Sequence, residues 1–481
     1  MSSAIETITN SARLVIPAST MLLSGCAFYG VAALVDPPRQ NEIATHRRYW
    51  GWAALGVWLL VTALSFSRSD VNYDVASGLF RFDSVSIAAE RLTLLGGLIT
   101  ILIGWSSVSA RSLPEYYGSL AIMLSGLMIV GSANDLTTLF LGLELVSIPT
   151  YVLLAIARGD RAGRESTLKY FSLSSFSSCF FLLGASYLYG LAGSTDLVTI
   201  HEVVGSRETL LGAVALIAVI GGLAFRITAV PFHFYAPDVF QGTTVPLAAI
   251  LAYLPKVAGV IAIIRIVGVG TNELSSTAEY ILLILAVLTM TVGNSLALVQ
   301  SKLLRLLAYS SVAHSGYILV GIAAGIDGHA PLEPVYFYLA AYAVMTLGVF
   351  AIIAGAESAG KKLEKIDDLA GLVQRFPAAA AALAICLTSL IGLPLTAGFW
   401  AKLEIFLSAI ASDDLLFRWV AVIMAANAVI AAGYYLRILG KLFEPAKETL
   451  PSKPWERSLV YATAICAVLT ILWFFQPNGL I

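Results

Sequence analysis

Charged residues are scarce in this sequence. Only 12% of its 481 residues are Asp, Glu, Lys or Arg, which is about half the share found in soluble domains, whereas 58% are hydrophobic. A chain of this length with so few charges cannot cover a water-facing surface. The formal net charge is −1, which excludes the basic surface that a nucleic-acid partner requires.

Cysteine is also rare, and its pattern argues against metal and redox sites. The four cysteines each occur singly within an apolar run, without a CxxC motif or a paired histidine; they are Cys26, Cys179, Cys386 and Cys466. We expect them to be buried small apolar residues. The sequence also lacks a haem or iron–sulfur ligand pattern and a glycine-rich nucleotide fingerprint. Any redox chemistry is therefore expected in a partner protein.

Apolar runs about as long as a bilayer is thick recur along the whole chain, and they predict an all-α polytopic membrane protein. We count about fourteen transmembrane helices. Their approximate limits are 12–35, 50–67, 87–108, 115–132, 136–157, 169–191, 208–229, 245–267, 277–299, 304–325, 334–355, 377–409, 415–438 and 458–475.

The distribution of Lys and Arg among the loops predicts the orientation in the membrane. Of these 29 residues, 19 lie in odd-numbered loops, and five lie in even-numbered loops or the N-terminal tail. The other five lie in or beside spans; they are Arg91, Arg226, Lys256, Arg265 and Lys402. By the positive-inside rule the odd loops face the cytoplasm, so that both termini lie on the outer side. We interpret the first span as a retained helix without a transit segment, and we therefore expect the bacterial plasma membrane.

Two spans are predicted to be interrupted at prolines. Pro231 lies in the segment 225–233 and Pro394 in the segment 391–399. Proline removes a backbone donor, and a broken helix at membrane depth requires protein or water to satisfy the freed groups. Transporters built from inverted repeats place their sites at such paired breaks. Two kinks without function are the alternative.

Glu144 and Lys256 lie deep within their predicted spans. A charge there is unfavourable by several kcal/mol unless it is paired, hydrated or neutralised. A group balanced between burial and neighbouring charges could bind and release a proton near neutral pH. A fixed ion pair is the alternative for Glu144, and a snorkelling or permanently paired side chain is the alternative for Lys256.

Two further basic side chains lie beside the predicted breaks. Arg226 precedes Pro231 by five residues and keeps its proton in proteins, so that it could set the charge state of Glu144 or bind an anion. Lys402 follows the second break, and Glu404, two residues away, faces elsewhere on a helix. Purely structural roles are the alternative for both.

Two histidines complete the candidate set. His314 lies in the run 308–317, Ala-Tyr-Ser-Ser-Val-Ala-His-Ser-Gly-Tyr, whose hydroxyls and imidazole could order water. His233 lies at the first break. Either histidine could instead be hydrogen-bonded in place without a role in proton transfer.

Several segments have the form of family motifs. They are Leu-Gly-Leu-Glu-Leu at 141–145, Thr-Leu-Lys-Tyr-Phe at 167–171, Pro-Phe-His at 231–233, Ala-Pro-Asp-Val-Phe-Gln-Gly at 236–242, Leu-Leu-Ala-Tyr-Ser-Ser-Val-Ala-His at 306–314 and Gly-Leu-Pro-Leu-Thr-Ala-Gly-Phe at 392–399. In this order they resemble the N-type antiporter-like membrane subunit of respiratory complex I, the NADH:quinone oxidoreductase. The resemblance runs from about residue 115 to 440. The Pro-Asp-Val at 237–239 and the lysine at 402 resemble the N type rather than the L and M types.

The resemblance implies two inverted five-helix repeats, each with a broken helix. We expect three N-terminal helices in 1–112, the repeats in 113–268 and 269–440, and a last helix in 441–481. The implied partners are other membrane-arm subunits and the lipid bilayer. NADH and quinone would be used by the whole complex, with no cofactor in this chain.

The resemblance also implies residue roles. Glu144 matches a glutamate of the fifth span that pairs with a basic residue of the seventh. Lys256 matches the central lysine of the eighth span, and Lys402 the lysine of the twelfth span towards the exit. Arg226 departs from the family, which usually has lysine there. Either Arg226 only biases Glu144, or coupling is altered.

The sequence therefore predicts a subunit of a proton-pumping translocase, driven by quinone reduction elsewhere in the complex. Lys256 is the strongest candidate for the titrating centre. A cation/proton antiporter subunit and a non-conducting spacer are the alternatives, and Arg226 is the feature that points to the spacer.

Overall fold

Helices make up nearly all of the structure, a computed structural model that describes residues 2–67, 75–205, 210–268, 273–326, 331–446 and 453–477. The helices are α1 (Ser2–Leu34), α2 (Ile43–Phe66), α3 (Ser84–Ser107), α4 (Leu113–Ser132), α5 (Leu136–Ala157), α6 (Arg161–Ala192), α7 (Leu197–Gly205), α8 (Leu210–Arg226), α9 (Ala236–Gly242), α10 (Val245–Val267), α11 (Glu273–Leu298), α12 (Leu303–Ile326), α13 (Glu333–Ser358), α14 (Leu372–Arg375), α15 (Pro377–Ile391), α16 (Ala397–Ala411), α17 (Leu415–Phe443) and α18 (Arg457–Phe475). One antiparallel hairpin pairs β1 (Val75–Ser77) with β2 (Phe80–Phe82).

Twelve helices of the described residues are long and apolar enough to cross a membrane, namely α1 to α6, α10 to α13, α17 and α18. Two shorter apolar helices, α8 and α15, end at buried residues, and each is followed by a second short helix, α9 or α16. The predicted all-α polytopic fold is confirmed, and so is the interruption of two spans. The total number of spans, the four-part division of the chain and the inverted symmetry stay predictions.

Helices α10, α12 and α13 form the centre of the bundle. Nearly every residue of these three helices is buried, because each helix is apolar on all its faces. Helices α1, α2, α6 and α17 lie at the periphery and expose many large apolar side chains. The few polar side chains on the central helices are therefore removed from water, and each needs a partner within the protein.

Loops at one end of the bundle are tied together by backbone hydrogen bonds, and we call this the hairpin end. The N–H of Asn134 donates to the carbonyl of Leu79, and the N–H of Leu136 donates to the carbonyl of Thr195, both over 2.9 Å. Asp135 caps α5, where its carboxylate accepts from two backbone N–H groups over 2.8 and 3.1 Å. The opposite end holds the odd-numbered loops of the sequence prediction, and we call it the basic end.

A buried ion pair closes the hairpin end, and its arginine is one for which the sequence predicted no role. Nη1 and Nη2 of Arg265 each donate to one carboxylate oxygen of Asp83, over 2.6 and 2.7 Å. Nε of Arg265 donates to the carbonyl of Gly131 over 3.0 Å. Asp83 also caps α3 by accepting from the N–H of Ser86 over 3.0 Å. The pair therefore fixes the C-terminal end of α10 against α3 and α4.

The expectation that all four cysteines are buried is wrong for two of them. Cys386 and Cys466 are buried, whereas Cys26 and Cys179 are exposed. The exposed cysteines lie on α1 and α6, which are peripheral helices whose outward faces would contact lipid or another subunit. An apolar run places a side chain in the membrane, but it does not place it in the interior of the protein.

Candidate functional site

The first interrupted span places Arg226 at the buried end of α8. The chain then runs irregularly to the start of α9. Its freed backbone groups find partners inside the protein, as membrane depth requires. The hydroxyl of Tyr235 donates to the carbonyl of Phe225, and the hydroxyl of Thr289 accepts from the N–H of Val230, both over 3.0 Å. These contacts hold the break, and with it the arginine, in one place.

Arg226 and Glu144 form an ion pair between α8 and α5. Nη2 of Arg226 lies 2.9 Å from Oε1 of Glu144, and the hydroxyl of Ser178 donates to the same oxygen over 2.7 Å. The other guanidinium arm donates to the carbonyl of Leu143 over 2.9 Å and to the hydroxyl of Ser147. The arginine side chain is 5% exposed and the glutamate side chain 20%, so that the glutamate is the more accessible partner of the pair.

Lys256 lies in the interior of α10 and is 1% exposed. Its ammonium donates to the hydroxyl of Ser311 over 2.7 Å, to the carbonyl of the same serine, and to the hydroxyl of Tyr342 over 3.4 Å. The two hydroxyls are themselves hydrogen-bonded over 2.8 Å. Among the residues that the structure describes, no carboxylate forms an ion pair with this lysine. Its hydrogen-bond partners are therefore neutral dipoles, and its ammonium also lies 4.5 Å from the ring centroid of Tyr342.

The break after α8 packs directly against α10, one helical turn from Lys256. A Cβ atom on Gly259 would lie 2.7 Å from Cγ2 of Ile227 and 3.1 Å from Cβ of Arg226. The hydroxyl of Ser315, one turn along α12 from the serine that binds the lysine, donates to the carbonyl of Ile227. The ion pair and the lysine are thus held on adjoining elements, and glycine permits the close approach.

His314 lies on the same helix, α12, and both of its ring nitrogens are hydrogen-bonded to tyrosines. Nδ1 lies 2.6 Å from the hydroxyl of Tyr338, and Nε2 lies 3.3 Å from the hydroxyl of Tyr435. The hydroxyl of Tyr435 is also hydrogen-bonded to Ser310. Because imidazole can accept a proton at one nitrogen and donate from the other, this arrangement is suited to relaying a proton.

The second interrupted span positions Lys402. Its ammonium donates to the carbonyls of Leu390 and Ile391 over 2.7 and 2.8 Å, and these carbonyls end α15. The negative end of a helix dipole favours a cation at this position. Gly392 follows with φ +91°, a conformation that favours glycine. The ammonium also lies 5.1 Å from the ring centroid of Tyr317.

His233 lies in the first break but apart from the other candidates. It is 6% exposed, and its Nδ1 is buried without a hydrogen-bond partner. Its ring lies against Phe234, with the centroids 4.8 Å apart, and 6.4 Å from the ring of Tyr309. None of the hydrogen bonds described for Glu144, Arg226 or Lys256 reaches this histidine.

Two of the motif segments, 167–171 and 236–242, meet at the basic end, together with Arg305 of α12. Asp238, at the start of α9, pairs with Lys169 of α6 over 2.7 Å and with Arg305 of α12 over 2.6 Å. Partial burial by itself would raise the pKa of Asp238. Hydrogen bonds and charge from these two cations outweigh this effect and hold the pKa below its usual value. The cluster joins the broken helix to both neighbouring helices.

Sequence reasoning identified the ionisable groups but missed most of their partners. The missed groups are hydroxyls, namely Ser178 beside Glu144, Tyr342 beside Lys256, and Tyr338 and Tyr435 beside His314. The ring contact of Tyr317 with Lys402 was also not predicted, although Tyr317 lies in the run 308–317. The spacing of four between the tyrosines at 338 and 342 places both on one face of α13 and could have indicated them. The chain has 20 tyrosines, so this signal is weak.

Fold and site together define a class of protein. Two broken helices and a series of buried ionisable groups in an otherwise apolar bundle are features of transporter-like membrane proteins. The sequence profile described as NADH:quinone oxidoreductase/Mrp antiporter, transmembrane, matches residues 133–436. NADH-quinone oxidoreductase subunit N 2 of Roseiflexus castenholzii is 36% identical over 487 residues, which cover 92% of this chain and 96% of that protein. The chain belongs to the subunit N family of NADH-quinone oxidoreductases.

Solved structures agree with this assignment. A chain of respiratory complex I from Thermus thermophilus with bound aureothin superposes with a TM-score of 0.81 at 28% identity, over 96% of this chain and 98% of that one. A chain of the Mrp complex from Dietzia sp. DQ12-45-1b gives a TM-score of 0.79 at 19% identity, over 97% and 95%. The second likeness extends to the fold alone. The predicted resemblance to the N type is confirmed.

Proposed function

We propose that this chain is a proton-translocating membrane-arm subunit of an NADH:quinone oxidoreductase. Protons pass through Glu144, Lys256 and Lys402, and His314 takes part in the transfer, whereas a role for His233 stays a prediction from the sequence. Quinone reduction in other subunits drives the movement. The observation that carries the proposal is the site of Lys256, a fully buried amine that contacts hydroxyls and a carbonyl but, among the described residues, no carboxylate. With neutral partners only, its charged and neutral forms are closer in free energy than they would be beside a carboxylate.

Arg226 has a fixed charge in this mechanism. It keeps its proton, so that the net charge of the pair with Glu144 changes only when the carboxylate gains or loses a proton. Protonation of Glu144 leaves the positive charge of Arg226 uncompensated, close to the turn of α10 that carries Lys256. Repulsion between the two cations then favours proton release from Lys256. The pair thus acts on the lysine without a proton leaving the arginine.

Hydroxyls and imidazole connect the lysines. A hydroxyl that accepts one proton and donates another stays neutral, which suits Ser311 and Tyr342 for transfer from Lys256. The ring of Tyr342 lies 5.2 Å, centroid to centroid, from that of His314. Tyr317 lies between His314 and Lys402, with a centroid distance of 5.9 Å to the imidazole. Water molecules in these intervals would complete the chain.

The remaining parts of the assignment follow from the proposed function. NADH oxidation and quinone reduction belong to other subunits, and this chain holds no cofactor of its own. Its partners are the adjoining antiporter-like and small membrane-arm subunits and the lipid bilayer. The basic end faces the cytoplasm of a bacterium and both termini face outward, as the distribution of Lys and Arg favours.

Substitution of Glu144 by glutamine tests the proposal. Glutamine cannot carry the proton and leaves Arg226 permanently uncompensated, so that protonation of Lys256 is disfavoured. We expect proton pumping by the purified complex in proteoliposomes, measured with a pH-sensitive dye, to fall by at least about threefold. Glu364→Gln at the exposed basic end is the matched control. Unchanged proton stoichiometry in the Glu144→Gln variant would support the alternative that the chain is a non-conducting spacer.

Substitution of Arg226 tests whether this position must release a proton. Lysine keeps a positive charge beside Glu144 and can also release a proton, whereas methionine supplies no charge. We expect Arg226→Lys to pump within about twofold of the wild type and Arg226→Met to pump far less. A lysine variant that pumps several times faster than the wild type would show that the arginine limits coupling.

A cation/proton antiporter subunit is the second candidate, and the likeness in fold to the Mrp complex is the observation that favours it. Proton flux through the assembled complex that depends on sodium would support this candidate. Flux that is the same in potassium and sodium buffers supports proton translocation.

A further inference from the structure

Two buried asparagines join α11 to α17 beside the Lys402 site. Asn294 is fully buried, and Asn427 is 3% exposed. Nδ2 of Asn294 donates to Oδ1 of Asn427 over 3.1 Å and to the hydroxyl of Tyr317 over 3.2 Å. Oδ1 of Asn294 accepts from the hydroxyl of Tyr434 over 3.1 Å. One arm of this amide therefore holds the tyrosine whose ring faces Lys402.

The orientation of both amides is fixed from one end of the network. Nδ2 of Asn427 donates to the carbonyl of Ile423 over 3.0 Å and to the hydroxyl of Thr291 over 3.3 Å. A backbone carbonyl can only accept, so that a flipped amide at Asn427 would set two acceptors against each other. The same flip would place the NH2 group of Asn427 against the NH2 group of Asn294. Asn294 is therefore held as the donor to Tyr317.

Tyr317 is where this network meets the Lys402 site. It is 1% exposed, and its ring lies beneath the ammonium of Lys402 at 5.1 Å and meets His314 edge-on at 5.9 Å. The face of an aromatic ring attracts a cation, most strongly where water is excluded. The other partners of this ammonium are the two carbonyls that end α15. Among the contacts described, the Tyr317 ring is the only side-chain partner of the Lys402 ammonium. A rotation of the ring would remove this contact.

We infer that Asn294 and Tyr317 are positioning residues for Lys402, and that the Asn294–Asn427 pair holds the ring beneath the ammonium. The inference rests on the proposed function, in which Lys402 carries protons. A carboxamide does not ionise near neutral pH, so that the pair is not itself a titrating proton carrier and acts through Tyr317. The competing explanation is that the asparagines only join two helices, as buried amides in membrane proteins do.

Three variants of the assembled complex test the inference: Asn294→Leu, Tyr317→Phe and the double variant. Pumping is measured in proteoliposomes with a pH-sensitive dye. Thermal stability of the complex is measured in parallel. We expect each single variant to lower pumping by about threefold to tenfold. The double variant should pump no less than either single variant, because all three lack the same hydrogen bond. Tyr317→Phe leaves the asparagine pair intact and keeps the test valid if Asn294→Leu assembles poorly.

The stability measurement separates positioning from helix joining. A positioning role predicts that Tyr317→Phe keeps the stability of the complex while pumping falls. If the losses of pumping in the two single variants multiply in the double variant, the inference is overturned. Normal pumping in Tyr317→Phe would also overturn it. Thr470→Val is the control, since its buried hydroxyl bonds only to the carbonyl of Cys466 in its own helix. If the Lys256→Met variant pumps normally, the proposed function is refuted. If Lys256→Met is inactive while Asn294→Leu and Tyr317→Phe pump normally, only the positioning role is refuted.

Discussion

Replacement of Lys256 by methionine is expected to reduce proton pumping sharply while the complex still assembles. Methionine has a similar length and no charge, and it suits the apolar surroundings of α10. The hydroxyls of Ser311 and Tyr342 keep their hydrogen bond to each other, so that neither is left without a partner. What is lost is the group that takes up and releases the proton. A loss of at least about tenfold is consistent with the usual contribution of a positioned proton carrier.

Lys256→Arg distinguishes a titrating lysine from a fixed positive charge. Arginine supplies the charge but keeps its proton under all physiological conditions. If Lys256 must alternate between two forms, we expect the arginine and methionine variants to fail alike. Retained pumping in the arginine variant would assign Lys256 a purely electrostatic role. Lys362→Met, at a side chain that is 70% exposed, is the matched control for loss of a lysine.

Replacement of Arg265 by methionine is expected to destabilise the chain by about 3 kcal/mol, because it leaves the Asp83 carboxylate without its bidentate partner. Asp83 is 15% exposed, and Arg81 Nε at 3.3 Å can compensate only in part. The loss should appear as a lower temperature of unfolding of the detergent-solubilised complex and as a lower assembled yield. Pumping for each assembled complex should change little, since the pair lies outside the series of proton carriers.

The double variant Arg265→Met/Asp83→Asn identifies the source of this loss. Asparagine can still cap α3 but carries no charge, so that the uncompensated carboxylate is removed together with the arginine. We expect the double variant to be more stable than Arg265→Met alone. Equal stability would mean that the contact with Gly131 or simple packing, rather than the ion pair, holds the end of α10. Arg418→Met, at an exposed arginine of α17, should have little effect.

Residues 225–233 and 391–399 explain why the breaks could be predicted from sequence. Proline cannot donate a backbone hydrogen bond, and this chemical property does not depend on what surrounds it. The same holds for Glu144, Lys256 and Lys402, since a charge within an apolar run is unfavourable wherever the helix lies in the bundle. Length, hydropathy and the motifs therefore determined the all-α membrane fold, the family and the ionisable residues of the candidate site.

The contacts of those residues were decided by the tertiary structure. Lys256 meets Ser311 and Arg265 meets Asp83, pairs that lie 55 and 182 positions apart in the chain. Which side chains meet depends on how each helix is rotated and where it crosses its neighbours. In an apolar bundle that rotation depends on the packing of many small contacts, which no local pattern encodes. The sequence by itself determined which groups are ionisable within the membrane. Only the packed helices decided that Glu144 has a cation beside it, that Lys256 has hydroxyls, and that Lys402 has helix carbonyls and an aromatic ring.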